Sequence, residues 1–122
     1  MHVADFTLNL TSEDPDRLAT FYEDVVGLPL LESKHAHVFD VGSARLRITP
    51  HRETKGPSKE PTRFLINLFV ADVEAELGRL RNQGVVVVRP ATRESWGGLV
   101  LTLADPDGNY FQLIEQTERK TE

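Results

Sequence analysis

Cysteine is absent from the 122-residue chain, so no disulfide framework, thiol nucleophile or cysteine-ligated zinc site can form. Positive charge is also scarce, because 14 lysine and arginine residues stand against 19 acidic residues and no basic run exceeds two residues. The electrostatic footprint of a nucleic-acid-binding protein is therefore missing. No apolar stretch approaches the ~18 residues of a membrane span, and the N-terminal residues lack the layout of a signal peptide. We expect a cytoplasmic protein with neither nucleic-acid nor membrane partners.

The remaining composition is typical of a chain that buries a core. Hydrophobic residues make up 39% and charged residues 27%, and the length suits a single domain spanning 1–122. A charged stretch at 52–63 contains two prolines and a glycine and shows no periodicity. We interpret it as a linker between module one, 1–51, and module two, 64–116, with a short tail at 117–122.

Module one alternates between extended and helical patterns. Residues 3–11 alternate apolar and polar side chains, as a strand does, and an amphipathic helix follows from a candidate N-cap at Ser12 to a closing Gly27. Further extended segments occupy 29–34, 35–41 and 44–49, with a hairpin signal at Gly42-Ser43 before the last of them. The module is predicted to be βαβββ.

Module two repeats this order and resembles module one in sequence. Its strands are predicted at 64–70, 85–88, 99–104 and 110–116, with a helix over 72–83. The segments FTLNLTSEDPDRLATFY and FLINLFVADVEAELGRL match when Asp14 is set on Asp72, and RLRIT matches YFQLI when Arg47 is set on Gln112. The sequence therefore predicts an α+β fold of two tandem βαβββ modules, forming a curved, incompletely closed eight-stranded mixed sheet around a concavity.

Two segments are typical of a known family. FYEDVVGLPL at 21–30 ends a helix, and DPDGNYFQLIEQ at 105–116 places a tight turn before the last strand, while Trp96-Gly97-Gly98 precedes the penultimate strand. In this order, and with the internal duplication, the chain resembles the vicinal-oxygen-chelate superfamily along essentially its whole length. That superfamily includes glyoxalases, extradiol dioxygenases, bleomycin-resistance proteins and fosfomycin-modifying enzymes.

The resemblance implies one divalent metal, held by a His or Gln on the first strand and a Glu on the last strand of each module. The matching positions in this chain are Thr7, Arg47, Leu65 and Gln112. Leucine cannot ligate a metal, and arginine keeps a positive charge that repels one. We therefore expect no metal and no other cofactor, and no metal-dependent glyoxalase or dioxygenase activity. His35 and His37, two apart on a predicted strand, leave a recruited metal as an open alternative.

Strand alternation separates apolar residues that pack on the helices, Phe6 among them, from a mixed set on the opposite face. With Trp96, which either stacks on a ligand or caps the core, the predicted ligand-binding residues are Thr7, Asn9, Arg45, Arg47, Leu65, Asn67, Phe69, Trp96, Tyr110 and Gln112. Amides, hydroxyls, aromatic rings and guanidiniums together suit an anionic organic molecule. In the alternative interpretation these residues form hydrogen bonds with one another rather than with a ligand, and Arg47 forms an ion pair with Glu115 or Glu32.

The leading hypothesis is a small-molecule-binding protein of the bleomycin-resistance type that sequesters a drug or metabolite as a homodimer. A second is an enzyme with a remodelled site, such as a lyase, isomerase, hydrolase or dioxygenase-like protein, in which Arg47 and Tyr110 take part. A third is a structural or regulatory partner-binding module. Asp105 and Asp107 look like an acid–base pair, but within DPDGN we assign them to the turn.

Overall fold

The computed structural model describes residues 1–116, and the predicted tail at 117–122 lies outside the described residues. The chain forms two compact units, Met1–Pro57 and Ser58–Glu122. The division between them falls inside the predicted connection at 52–63.

The first unit contains one four-stranded mixed sheet and one helical segment. Its elements are β1 (Thr7–Ser12), α1 (Pro15–Thr20), a π-helical segment (Phe21–Val26), β2 (Leu30–Glu32), β3 (His37–Asp40) and β4 (Arg45–Pro50). The strand order is β1-β4-β3-β2, in which β1 and β4 are parallel and the other pairs antiparallel.

The second unit repeats this topology. Its elements are β5 (Ile66–Phe69), α2 (Val73–Arg81), β6 (Val86–Arg93), β7 (Leu99–Ala104) and β8 (Tyr110–Glu115). The strand order is β5-β8-β7-β6, again with one parallel pair, β5 and β8. The two predicted βαβββ modules and the α+β class are thus confirmed, with the eight strands divided between two four-stranded sheets.

The start of α1 differs from the sequence prediction by two residues. Asp14, not Ser12, is the N-cap, and its carboxylate accepts the backbone N–H of Arg17 at 3.2 Å. Ser12 is buried, and its hydroxyl accepts the N–H of Asp14 at 3.0 Å. Pro15 then occupies the first turn, where its missing N–H costs no helical hydrogen bond. The helical stretch ends at Gly27, as predicted.

Each helix packs against the sheet of its own module. In the first unit α1 contacts β1, β3 and β4, and Leu18, Phe39, Leu46 and Ile48 are at most 1% exposed. In the second unit α2 contacts β6, β7 and β8, where Phe111 is fully buried. No helix within residues 1–116 is both long enough and apolar enough to cross a membrane.

The prediction that Phe6 packs on the helix is wrong. The first strand begins at Thr7, so Phe6 precedes the paired ladder, and 62% of it is exposed. Its backbone N–H donates to the carboxylate of Asp5 at 2.8 Å, while its carbonyl accepts the N–H of Arg45 at 3.4 Å.

Candidate ligand-binding faces of the two sheets

The strand register defines a helix-distal face on each sheet, which is the face opposite the side chains that pack under the helix. In the first sheet Asn9 lies opposite Arg47 on the parallel pair β1 and β4. In the second sheet Asn67 lies opposite Gln112 on the parallel pair β5 and β8. The two pairs are equivalent by both topology and the sequence repeat, which aligned Arg47 with Gln112.

Arg47 is an exposed cation without a partner in its surroundings. Within residues 1–116 its guanidinium makes no hydrogen bond and no ion pair. The alternative partner Glu115 is used elsewhere, because its carboxylate accepts the backbone N–H of Val73 at 3.0 Å and caps the start of α2. All the N–H donors of Arg47 therefore remain available to a bound molecule.

Arg45, two residues earlier on β4, differs from Arg47 because it forms an ion pair. Its Nη1 donates to Oδ2 of Asp5 at 2.7 Å, and the two side chains are 48% and 59% exposed. The charge of Arg45 is therefore compensated locally, while that of Arg47 is not.

Neutral polar groups surround Arg47 on the same face of the first sheet. The amide nitrogen of Asn9 donates to the hydroxyl of Thr49 at 3.0 Å, which leaves the amide oxygen directed to other donors. The hydroxyls of Thr11 and Thr54 are bonded at 2.7 Å. Thr7 is exposed at the start of β1. This face thus combines one free cation with oriented hydroxyl and amide groups.

Gln112 has a fixed orientation in the second sheet. Its Nε2 donates to the hydroxyl of Thr102 at 2.9 Å, and Thr102 is its cross-strand neighbour on β7 and only 5% exposed. Within the described chain the carbonyl oxygen Oε1 of Gln112 receives no hydrogen bond, so it is an available acceptor. Sequence reasoning missed Thr102, since only the register between β7 and β8 shows which residue faces Gln112.

The apolar and aromatic members of the predicted set are largely exposed. Phe69 is 60% exposed and Leu65, just before β5, is 42% exposed, whereas Tyr110 is half-buried at the start of β8. Exposed aromatic rings of this kind supply stacking surfaces for a ligand.

Trp96 does not cap a buried core, because 59% of it is exposed. Its ring lies directly over Gly98, where an added Cβ would fall 1.9 Å from Cζ3 of the indole. Nearby, the guanidinium of Arg93 donates to the carbonyl of Gly97 at 2.8 Å. A side chain at position 98 would therefore collide with the indole, and glycine is what allows the ring to approach the backbone there.

The residues at the family's metal-ligand positions do not suit a divalent cation. Thr7 offers a neutral hydroxyl, Arg47 a positive charge and Leu65 only hydrocarbon, while Gln112 can offer one amide oxygen. Such a set has no anionic ligand to offset the desolvation of the ion. Within residues 1–116 no three His, Asp or Glu side chains are grouped to hold a metal.

The histidine pair considered for a recruited metal is not arranged as the sequence suggested. Strand β3 begins at His37, so His35 precedes it and the two-residue strand spacing does not apply. His37 lies opposite Ile48, on the helix-facing side of the sheet, and its Nε2 contacts Oδ1 of Asp16 at 2.9 Å. His37 therefore connects β3 to the first turn of α1.

Asp105 is part of the turn, as predicted. It is 5% exposed, and its Oδ1 accepts the backbone N–H groups of Asp107 and Asn109, both at 2.9 Å. Its Oδ2 accepts the side-chain amide of Asn109 at 3.0 Å. The carboxylate thus stabilises the DPDGN turn through three donors rather than serving acid–base chemistry.

A pocket of about 410 Å³ lies in the first unit, at the end of the sheet where β3 turns into β4. It is lined by Asp5, Leu31, Asp40, Gly42, Ser43, Ala44 and Arg45. Arg45 and Asp40 are cross-strand partners, in the same register as Thr7 on β1. The pocket therefore adjoins the helix-distal face on which Arg47 lies.

Comparisons with known proteins agree with this architecture. TnmS3, an antibiotic binding protein from Streptomyces sp. CB03234, is 24% identical and superimposes with a TM-score of 0.77 over 95% of this chain and 100% of its own. A superfamily member from Sphaerobacter thermophilus DSM 20745 is 17% identical, with a TM-score of 0.78 over 94% of this chain and 98% of its own. Lactoylglutathione lyase from Agrobacterium tumefaciens is 20% identical, with a TM-score of 0.73 over 93% and 94%.

No curated protein sequence matches the chain. The family model of the Glyoxalase/Bleomycin resistance protein/Dioxygenase superfamily matches residues 2–113, which is nearly the whole length. With the duplicated βαβββ topology and the shared fold, this match shows that the chain belongs to that superfamily.

Proposed function

We propose that this protein binds a small anionic organic molecule, as a drug- or metabolite-sequestering member of its superfamily, and that it does so without a metal ion. The observation that carries the proposal is the exposed, unpartnered guanidinium of Arg47 on the helix-distal face of the first sheet. The antibiotic-binding neighbour TnmS3 supports the ligand class only through its shared fold.

Arg47 takes over part of the electrostatic role that a cation has elsewhere in the superfamily. A guanidinium binds a carboxylate or phosphate through two parallel, charge-assisted hydrogen bonds. The carbonyl oxygen of Asn9 and the hydroxyl of Thr7 lie on the same face and supply neutral contacts to the rest of the ligand. In the second unit, considered by itself, the residues that we propose as ligand-binding are Leu65, Asn67, Phe69, Trp96, Tyr110 and Gln112.

The test is the Arg47→Met substitution, which keeps most of the aliphatic stem and removes the charge. Ligands are first found with a thermal-shift screen of carboxylate- and phosphate-bearing metabolites and antibiotics, because binding to the native state raises its melting temperature. For a ligand so identified, Arg47→Met is expected to weaken binding by at least about 1.5 kcal/mol, the value of a charge-assisted hydrogen bond. The affinity is measured by isothermal titration calorimetry.

The matched control is Arg81→Met, which removes an exposed arginine from α2. It should leave the affinity unchanged, and neither substitution should lower the free energy of unfolding by more than about 0.5 kcal/mol. Dialysis of the wild-type protein against a chelator should also leave the affinity unchanged. Wild-type affinity in Arg47→Met would refute the anionic ligand site, and loss of binding after chelation would refute the metal-free mode.

We further propose that the protein acts as a homodimer in the cytoplasm. The edge strand β6 supports this, because Val86, Val87 and Val88 are 61%, 37% and 40% exposed and, within residues 1–116, one side of the strand has no neighbour in the sheet order. Light scattering at micromolar concentration is expected to give twice the mass of one chain. A measured mass of 13.7 kDa would contradict the dimer.

A further inference from the structure

The pocket at the β3–β4 hairpin is shaped by a tight turn. The backbone N–H of Val41 donates to the carbonyl of Ala44 at 3.2 Å, and Gly42 adopts a positive φ of 83°. A side chain at Gly42 would be strained in this conformation. Asp40 and Arg45, which are cross-strand partners before and after this turn, both line the pocket.

The polar side chains of the pocket differ in which of their hydrogen-bonding atoms already have a partner. Both carboxylate oxygens of Asp5 are engaged, Oδ1 by the N–H of Phe6 and Oδ2 by Arg45. Asp40 uses only Oδ1, which accepts the N–H of Gly42 at 3.1 Å. Within residues 1–116, Oδ2 of Asp40 and the hydroxyl of Ser43 have no hydrogen-bond partner. The free acceptors among these side chains are therefore an anionic carboxylate oxygen and a neutral hydroxyl oxygen.

The charge balance of the pocket favours a cation. Asp5 and Arg45 compensate each other, so the charge of Asp40 is the one left over. Leu31, 53% exposed, adds an apolar wall that suits an aliphatic chain rather than a bare ion. An organic ammonium group on a short aliphatic stem matches this combination of carboxylate, hydroxyl and hydrocarbon.

Arg47 lies close to the pocket on the same face. It is two residues beyond Arg45 on β4, and Asp40 is the cross-strand partner of Arg45. Strand geometry places the Cα atoms of Arg47 and Asp40 about 8 Å apart. A free cation and a free carboxylate thus lie next to each other, at a distance that one small molecule can span.

We propose that the hairpin pocket binds the ammonium group of a zwitterionic ligand whose anionic group binds Arg47. This inference rests on the proposed function, since it adds a second, oppositely charged contact to the same ligand. It restricts the ligand class to molecules that carry an amine and an acid separated by a short aliphatic chain, such as ω-amino acids and related peptide-like compounds.

The experiment compares three probes by amide chemical-shift titration: 5-aminopentanoate, pentanoate and pentylamine. The variant Asp40→Asn keeps an oxygen for the N–H of Gly42 but removes the charge, and Asp24→Asn, on the exposed part of the π-helical segment, is the matched control. Asp40→Asn is expected to weaken the binding of 5-aminopentanoate about fivefold, as for a partly exposed ion pair, and to leave the affinity for pentanoate unchanged. Asp24→Asn should change neither.

The Arg47→Met variant separates this inference from the proposed function. This substitution is expected to weaken the binding of both pentanoate and 5-aminopentanoate and to leave the affinity for pentylamine unchanged. If Asp40→Asn binds 5-aminopentanoate as the wild type does while Arg47→Met still weakens it, the pocket proposal is overturned and the anionic site stands. If Arg47→Met changes none of the probes, the anionic site is wrong, and the zwitterionic ligand is wrong with it.

Discussion

Replacing Phe39 with alanine is expected to lower the free energy of unfolding by about 4 kcal/mol, as large-to-small substitutions in tight cores do. Phe39 is fully buried at the centre of β3, where it pairs with Leu46 on β4. Because α1 packs on both strands, the lost ring leaves a cavity that the surrounding helix and sheet can fill only in part. Urea denaturation followed by circular dichroism measures the change.

The matched control for this cavity is Phe69→Ala, which removes the same side chain from a position that is 60% exposed. Phe69→Ala should lower the free energy of unfolding by no more than about 0.5 kcal/mol. Since Phe69 belongs to the proposed ligand set, the same variant should weaken ligand binding while it keeps the fold. Equal destabilisation by the two substitutions would show that the burial of Phe39 is not what stabilises the first unit.

Replacing Asp105 with alanine is expected to destabilise the protein by about 3 kcal/mol, because the half-buried donors around this buried carboxylate lose charge-assisted hydrogen bonds. The carboxylate accepts two backbone N–H groups and the amide of Asn109, and alanine offers none of them a partner. The turn also receives a bond from outside, since the N–H of Ser58 donates to the carbonyl of Asp107 at 2.8 Å. Denaturant unfolding of the variant gives the magnitude.

Asp40→Ala serves as the comparison for Asp105, because Asp40 also binds a turn N–H but is exposed and, within residues 1–116, accepts a single backbone hydrogen bond, from Gly42 at 3.1 Å. Asp40→Ala should lower the free energy of unfolding by less than about 1 kcal/mol. A similar cost for both aspartates would mean that the burial of Asp105 adds nothing to the stability of the DPDGN turn.

The fold was predictable because local patterns and the internal repeat agree. Alternation along β4 placed Leu46 and Ile48 on one face and Arg45 and Arg47 on the other, and both pairs lie as expected. The repeat that aligned Arg47 with Gln112 also corresponds to the structure, in which both residues face an asparagine on the parallel neighbour strand. The register of a strand is strongly specified by such an alternation wherever one of its faces is buried.

Errors arose where the chain enters or leaves a regular element. Phe6 fits the alternation of β1, yet the ladder starts one residue later, and alternation carries no information about where pairing begins. Ser12 and Asp14 are both good N-cap residues, and only the position of Arg17 relative to the first turn shows that Asp14 is the one that caps.

The candidate site was less predictable than the fold, because its chemistry depends on which charges find partners. The sequence left Arg47 open to pairing with Glu115, and nothing in the local pattern shows that Glu115 instead caps α2. Likewise, the sequence analysis placed Arg45 among the ligand-binding residues but gave no role to Asp40. Their approach around a pocket follows from the turn conformation and from the register between β3 and β4.

The parallel pairing in each module joins its first strand to its last. Strand β1 bonds to β4, and β5 to β8, so each ladder closes a loop that contains the helix and two strands. Closing so long a loop lowers the chain entropy, and no local contact compensates for that loss early in folding. The amide protons of β4 and β8, which have a bonded strand on both sides, should therefore exchange with solvent only when a whole module opens, while those at the β2 and β6 edges exchange through local fraying.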